Sequence, residues 1–252
     1  MIEKNILQIK HVSKSFGGVI AVNDVSFELR EGEVLGIIGP NGSGKTTLVN
    51  LITSFTKKDA GEVLFKGKDI TKCPAHKIAD MGLARTFQNM RPYHSMPAYK
   101  NLIPALFSPR NRRTAEGNLG DRDAVAIDLL EEVGFDRAAN IPYQAASSLP
   151  LGYLKRLEIA RCLAMNPIAI ICDEVFSGLS VAEITSLVPL IERLRKNGIT
   201  LIMIEHRLRE LFQVANRLLV LNFGVKIVEG PPDEVMKRKE VRNAYLGEEV
   251  EA

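Results

Sequence analysis

Tryptophan is absent from the 252 residues of this chain, and aromatic residues make up only 6% of it. Cysteine is also scarce, because Cys73, Cys162 and Cys172 are scattered without the spacing of a metal site or a disulfide framework. Cys162 and Cys172 fall in apolar runs, so we expect buried thiols. This usage excludes a disulfide-stapled secreted domain and fits a reducing compartment.

The chain also lacks a long apolar run and a large excess of charge. No stretch approaches the roughly 20 residues that span a bilayer, and Glu3 and Lys4 precede an ordinary strand pattern instead of a signal peptide. Any membrane role is therefore expected to act from the surface, through a partner. The net charge of +3 is too small and too mixed to indicate nucleic acid as a partner.

What the chain does contain is a series of short apolar runs, at residues 34–38, 168–172, 200–204 and 218–221. Continuous runs of this kind are typical of strands buried on both faces. Helical patterns lie between them. Strands that alternate with helices predict a mainly parallel α/β sheet.

Periodicity predicts further elements. Val25, Phe27 and Leu29 alternate with polar residues, as in a half-exposed strand, and residues 6–12 give a weaker strand pattern. Two helical stripes follow later, formed by Ile184, Leu187, Val188, Ile191 and Leu194, and by Leu208, Leu211, Phe212 and Ala215. Pro189 lies inside the first stripe, where it is expected to kink the helix or move its boundary.

The middle of the chain follows another pattern. Residues 91–149 contain no buried-strand run. Residues 109–121 are polar and charged, which predicts an exposed loop, and Asp121 is a suitable cap for a helix that runs to about residue 133. We therefore expect a helical subdomain inserted into the α/β core.

Residues 39–46 match the phosphate-loop pattern G-x-x-x-x-G-K-[ST], between an apolar run and a helix start. They are Gly39, Pro40, Asn41, Gly42, Ser43, Gly44, Lys45 and Thr46, and Thr47 follows in the helix. The glycines let backbone N–H groups turn inward, and the helix N-terminus adds partial positive charge. Lys45 is expected to reach the β- and γ-phosphates, and Thr46 to hold Mg²⁺. The alternative, an incidental glycine turn, is disfavoured by the strand-to-helix context.

Two carboxylates, Asp173 and Glu174, end the second apolar run. In a P-loop ATPase, Asp173 binds Mg²⁺ through its water shell, and Glu174 polarises the attacking water as a general base. Two solvated acids after a strand are the alternative, and the phosphate loop favours the catalytic interpretation. His206 follows the third run, where it could sense the γ-phosphate and help to place the water. The other three histidines are expected to be structural.

With these motifs, the sequence resembles an ATP-binding-cassette ATPase over essentially its whole length. The resemblance rests on Phe16 in Lys-Ser-Phe-Gly-Gly, on Gln88 in Arg-Thr-Phe-Gln, and on residues 149–153 and 177–180, at the places of the signature motif and of the loop after the catalytic glutamate. It implies that Phe16 stacks on adenine and that Gln88 contacts Mg²⁺ and the lytic water.

The resemblance also implies an architecture. A single ATPase domain over residues 1–252 would have a P-loop NTPase (RecA-like) core, 1–90 and 157–252, with a mainly parallel sheet, N-terminal antiparallel strands and a helical subdomain at about 91–156. Two such subunits pair head to tail. The signature residues of one, Leu149, Pro150 and Gly152, then close over the ATP in the phosphate loop of the other.

Residues 85–91, 157–161, 228–230 and 244–247 are similar to the branched-chain (hydrophobic) amino-acid importers within this family. This subgroup implies an importer energised by ATP and Mg²⁺. Its partners would be transmembrane permease subunits, a second ATPase subunit (a copy or a sister chain) and, indirectly, an extracytoplasmic solute-binding protein. The chain would be a peripheral subunit at the cytoplasmic face of the membrane. An exporter cassette, for instance for lipopolysaccharide, is the alternative.

Several positions depart from the family pattern, namely Lys100, Pro150, Leu151, Tyr153, Val175 and Ser180. The departures in the signature motif leave fewer side-chain groups to contact the γ-phosphate held by the opposite subunit. We therefore expect slower hydrolysis than in typical relatives. A low-turnover, nucleotide-binding regulatory subunit is therefore a further alternative, which the presence of Glu174 and His206 disfavours.

Residues 90–107 carry an apolar stretch beside Gln88, formed by Met90, Tyr93, Met96, Tyr99, Leu102, Ile103 and Phe107. Such a stretch fits either the core of the subdomain or an interface. The family resemblance implies a groove for a short helix of the membrane subunit. We expect some members to be buried and others to face the partner.

Overall fold

Two β-sheets organise the residues that this computed structural model describes, 4–114 and 120–246. The strands are β1 (Asn5–Phe16), β2 (Val19–Arg30), β3 (Val34–Ile38), β4 (Ala60–Phe65), β5 (Lys68–Asp69), β6 (Leu83–Arg85), β7 (Ala169–Asp173), β8 (Thr200–Ile204), β9 (Arg217–Asn222) and β10 (Val225–Gly230). A four-stranded antiparallel sheet has the order β2-β1-β4-β5, and a six-stranded sheet has the order β10-β9-β3-β8-β7-β6.

The six-stranded sheet is parallel from β9 to β6, and β10 returns antiparallel along β9. Every residue of β3, β7 and β8 is buried, because the sheet is covered on both faces. The predicted mainly parallel α/β fold with N-terminal antiparallel strands is therefore confirmed. Ile37 pairs with Ile204 and Asp173 pairs with the same residue, so β3, β8 and β7 end at one edge.

Helices fill the connections. They are α1 (Lys45–Ile52), α2 (Ala75–Asp80), α3 (Ile103–Leu106), α4 (Pro109–Thr114), α5 (Arg122–Glu132), α6 (Leu151–Leu163), α7 (Val181–Lys196), α8 (Leu208–Val214), α9 (Pro232–Val235) and α10 (Lys239–Leu246), with 3-10 turns at Tyr99–Leu102, Ile141–Tyr143 and Ala146–Ser148. Helices α3, α4 and α5 all lie between β6 and β7. None of the helices in the described ranges has the length and apolar character of a bilayer crossing.

Alternate residues of β3 face two apolar cores. Leu35 and Ile37 join α1 and the antiparallel sheet, whereas Val34 and Ile38 join α6 and α7. Cys162 and Cys172 are buried in the second core, as predicted, and burial raises the pKa of the Cys172 thiol to about 12. The central strand is thus fixed from both sides before it enters the phosphate loop.

The sequence signal at Asp121 marks a helix boundary, whereas the signal at Pro189 does not. Asp121 caps α5, as predicted, because its side chain accepts the N–H groups of Asp123 and Ala124. Helix α7, however, runs through Pro189, so the proline does not set its boundary. Pro189 lies on the exposed face, where water can satisfy the carbonyl group that its missing N–H leaves without a partner.

The prediction of an exposed loop at residues 109–121 is wrong in its first half, where α4 forms; residues 115–119 lie outside the described ranges. Asn111 is only 4% exposed, and its side-chain amide donates to the carbonyl oxygens of Ala164, at 2.7 Å, and Ala105, at 3.1 Å. These bonds tie α4 to the ends of α6 and α3. The polar composition of residues 109–114 predicted a loop. Composition alone does not show that the side-chain amide of Asn111 is buried and hydrogen-bonded within the protein.

We expect Asn111→Ala to lower the free energy of unfolding by about 1–3 kcal/mol, because it leaves buried carbonyl oxygens without a donor. Chemical denaturation measures the change. Arg112→Ala, on the exposed neighbour, is the matched control and should change stability by less than about 0.5 kcal/mol. Equal effects of the two substitutions would show that the amide has no special role.

Candidate active site

The phosphate loop, residues 39–44, connects the end of β3 to α1. A Cβ on Gly39 would lie 2.1 Å from the Leu221 carbonyl oxygen, and one on Gly44 would lie 2.4 Å from that of Ala21. Gly44 also has a φ of 99°, in the left-handed region. Only glycine therefore fits at these two positions, and the loop is pressed against β9 and β2.

Lys45, the first residue of α1, points back into this loop. Its Nζ donates to the carbonyl oxygens of Gly39, at 2.7 Å, and Pro40, at 3.0 Å. Burial lowers the pKa of Lys45, and the negative charges of Glu174 and Asp173 partly oppose this shift. A buried ammonium group held by neutral carbonyls suits an anionic ligand such as a phosphate.

Asp173 ends β7 with its two carboxylate oxygens in different surroundings. Oδ2 accepts a hydrogen bond from Arg85 Nη2 at 2.8 Å, whereas the buried Oδ1 has no hydrogen-bond partner among the described residues. A cavity of about 430 Å³ adjoins it, lined by Thr46, Arg85, Phe87, Gln88, Asn89, Arg91, Glu158, Arg161 and Asp173. The free carboxylate oxygen, with the hydroxyl of Thr46 and the amide of Gln88, is the kind of oxygen donor set that fits hydrated Mg²⁺.

Glu174 follows directly, and its carboxylate joins two other predicted residues. Gln88 Nε2 donates to Oε2 at 2.7 Å, and His206 Nε2 lies 3.1 Å from Oε1. These residues come from the segments that follow β6, β7 and β8. A carboxylate held in this way can accept a proton from a water molecule, which is what a general base requires.

Phe16 lies at the end of β1 with half of its surface exposed. The Nζ of Lys14 lies 5.2 Å from the centroid of its ring. The hairpin that follows Phe16 reaches the phosphate loop, since Ala21 touches Gly44. An exposed aromatic face beside the loop is suited to stacking on a planar base.

The signature residues are not brought to this chain's own loop cavity. Pro150 is the N-cap of α6, and together with Gly152 it lines a different cavity, of about 410 Å³. This separation fits the prediction that the signature residues serve the nucleotide of a second subunit. That role remains a prediction.

Three departures from the family pattern, Leu151, Tyr153 and Ser180, make contacts within the chain, although Leu151 is 39% exposed. A Cβ on Gly178 would lie 2.9 Å from Leu151 Cδ2, and the ring of Tyr153 meets that of Phe135 edge-on at 5.0 Å between centroids. Ser180 caps α7 in a reciprocal pair with Glu183. The unusual side chains thus have structural contacts of their own.

Three charged residues of the site were not singled out by the sequence: Arg85, Lys155 and Glu205. Arg85 pairs with Asp173, and Lys155 Nζ donates to the Glu174 carbonyl oxygen at 2.8 Å. Glu205 accepts the N–H of Phe176 at 3.0 Å. The one signal was that Glu205 directly follows the apolar run at residues 200–204, which is also common for solvated charges.

Two protein-family models match this chain. Residues 22–177 match the family described as ABC transporter, and residues 225–251 match the family described as branched-chain amino acid ATP-binding cassette transporter. In the solved structures, a nucleotide-free ATP-binding cassette from an ABC transporter aligns with a TM-score of 0.86 at 31% identity, covering 97% of this chain and 100% of that one.

Curated relatives are similar over nearly their full length. The high-affinity branched-chain amino acid transport ATP-binding proteins BraF of Pseudomonas aeruginosa and LivG of Salmonella typhimurium are 36% and 37% identical, covering 96% of this chain and 98% of each relative. The lipopolysaccharide export system ATP-binding protein LptB of Escherichia coli is 32% identical with the same coverage.

We expect Glu174→Gln to lower the rate of ATP hydrolysis by about 10²–10⁴-fold, because an amide cannot take the proton of the attacking water. Binding of Mg-ATP, measured by calorimetry, should stay within about twofold. Lys45→Ala is the companion variant and should lose binding itself. A Glu174→Gln protein that hydrolyses ATP at the parent rate would remove Glu174 from the chemistry.

Proposed function

Because the chain belongs to the ABC transporter family of ATP-binding cassettes, we propose that it is the ATPase subunit of an importer for branched-chain or other hydrophobic amino acids. It binds and hydrolyses ATP to drive transport by membrane subunits. The observation that carries the proposal is the Glu174 carboxylate, held between Gln88 and His206 at the edge where the phosphate loop begins.

In the proposed mechanism, the N–H groups of the phosphate loop and Lys45 hold the β- and γ-phosphates of ATP. Thr46 and Asp173, with Gln88, would hold Mg²⁺, and the ion would supply positive charge opposite the phosphates. Glu174 accepts a proton from the water that attacks the γ-phosphorus, while the bond from this phosphorus to the β–γ bridging oxygen breaks and ADP leaves. His206 supports the same carboxylate, and preorganised charges of this kind account for most of the catalysis in phosphoryl transfer.

Two subunits act together in this proposal. Leu149, Pro150 and Gly152 at the start of α6 face the nucleotide of the opposite subunit, where the N-terminus of the helix attracts negative charge. Since ATP binds the closed pair better than the open pair, it shifts the population towards closure. Closure moves the membrane subunits, and hydrolysis reopens the pair. The partner is a second copy or a sister chain.

The importer assignment rests on the relatives and on the C-terminal match. BraF and LivG are named for branched-chain amino acid transport, and residues 225–251 match a model specific to that kind of cassette. An extracytoplasmic solute-binding protein and a position on the cytoplasmic face of the membrane follow from this proposal. Export is the second candidate, supported by the similarity to LptB.

The apolar stretch at residues 90–107 is the proposed contact with the permease. Leu102 is fully buried, whereas Tyr93, Met96 and Phe107 are almost half exposed. The stretch is therefore divided between core and surface, as predicted. Tyr93 lies against Arg161, which lines the same cavity as Gln88, so a partner bound at Tyr93 is next to the wall of the candidate site.

We expect Met96→Glu to release the chain from membranes that contain its permease, because a charge opposes burial of this surface, with ATP hydrolysis by the free chain unchanged. Sedimentation with membranes measures release. Val225→Glu is the control, since β10 forms the opposite edge of the sheet from β6.

Proteins captured with the parent chain test the function: amino-acid permease subunits support it, and lipopolysaccharide permease subunits would favour export.

The triple substitution Pro150→Ser, Leu151→Gly and Tyr153→Gln introduces the residues of the family pattern. It should raise the rate of ATP hydrolysis in the assembled dimer, because more groups then reach the γ-phosphate. Steady-state hydrolysis with the partner subunits measures it. Tyr153→Gln alone is the control for lost packing against Phe135. An unchanged rate in the folded triple variant would count against a role for these departures in turnover.

A further inference from the structure

The backbone at Glu174 adopts a conformation that its residue type does not favour. Its φ is 52°, in the left-handed region, although Glu174 is not glycine. Such a residue persists only where its surroundings fix it. Its N–H donates to the Ile204 carbonyl oxygen at 2.9 Å, and its own carbonyl oxygen accepts from Lys155 Nζ at 2.8 Å. Both backbone polar groups of Glu174 are therefore held.

The turn after Glu174 is held from the other side by Glu205. This residue follows β8, is only 1% exposed, and accepts the N–H of Phe176 at 3.0 Å through Oε1, with a weaker contribution from the N–H of Val175. Burial raises the pKa of Glu205 to about 8. Its carboxyl group is thus retained in the interior although its ionisation is unfavourable there.

Lys155 is likewise buried, at 4% exposed, on α6. Burial lowers its pKa, and the negative charges of Glu205, Glu174, Asp173 and Glu158 oppose the shift. An ammonium group with a single side-chain hydrogen bond to a backbone carbonyl is a costly way to stabilise a core, since an apolar side chain would fill the same space without desolvation. This cost favours a role for Lys155 in fixing the backbone geometry at Glu174 over a role in stabilising the core.

We propose that Lys155 and Glu205 are positioning residues, which hold the backbone of residues 174–176 so that the Glu174 carboxylate meets Gln88 and His206. The inference rests on the proposed function. Lys155 lies on α6 and Glu205 directly follows β8, so the turn is held by residues in or next to rigid parts of the core. Glu205 is also adjacent to His206 in the chain, so one short segment places both the turn and the histidine.

The test compares variants that remove each hydrogen bond with one variant, Glu205→Gln, that keeps it. Lys155→Met and Glu205→Met remove the donor and the acceptor while preserving bulk, and kcat should fall about 10²-fold, as expected when a reacting group is misplaced by about 1 Å. The KM for ATP and the affinity for Mg-ATP should stay within about twofold, because the phosphate loop is untouched. Glu205→Gln still offers an oxygen to Phe176 N–H and should retain most activity.

A double-mutant cycle separates positioning from general damage. In the Glu174→Gln background, Lys155→Met should change the remaining rate by less than about threefold, because the group it positions is already inactive. An equal loss in both backgrounds, or loss of Mg-ATP binding in Lys155→Met, would overturn the inference. If Glu174→Gln itself leaves hydrolysis unchanged, the proposed function fails instead. Glu205→Gln, which preserves the acceptor, keeps the test decisive if Lys155→Met does not fold.

Discussion

Parallel pairing of β3, β8 and β7 is the constraint on which the site depends. Their register brings three chain segments to one edge, where Ile204 pairs with both Ile37 and Asp173. The phosphate loop, the acidic pair and His206 each begin within two residues of a strand end. Carboxyl ends of parallel strands meet in this way in open α/β sheets, which is why such sheets bind ligands there. The apolar cores on both faces keep the edge in register.

The same edge collects buried charge, which is costly unless each group is paired. Lys45, Lys155, Asp173, Glu174 and Glu205 are all less than 9% exposed. Backbone carbonyls hold the two ammonium groups, Arg85 holds one oxygen of Asp173, and Glu205 accepts the N–H of Phe176. Among the described residues, two buried side-chain oxygens still lack a hydrogen-bond partner, Asp173 Oδ1 and Ser43 Oγ of the phosphate loop. A bound nucleotide with its metal ion would supply partners for both.

The sequence predicted the fold and most of the site because both depend on local patterns. Fully apolar runs predicted β3, β7 and β8, and glycine spacing predicted the loop. What it could not predict depends on distant contacts. Asn111 looked like a loop residue because one of its acceptors, the Ala164 carbonyl oxygen, lies 53 positions away in the chain. Lys155 and Glu205 resemble solvated charges until the turn they hold is seen. Helix α7 does not end at Pro189, because this proline lies on the exposed face of the helix. Tertiary packing determines which face is exposed, so the local sequence does not show it.

Pro150 and Leu151 depart from the signature pattern in different ways, since one lacks a hydroxyl group and the other adds a bulky side chain. As the N-cap of α6, Pro150 provides no side-chain hydrogen bond, and the Glu183 carboxylate accepts the N–H of Gly152 instead. The hydroxyl that proline lacks at 150 is therefore not needed to satisfy the N–H of Gly152. Leu151 is different, because its side chain packs against Gly178 and adds bulk where glycine is usual. The cost to turnover is therefore expected to come from bulk at 151, more than from the hydroxyl missing at 150.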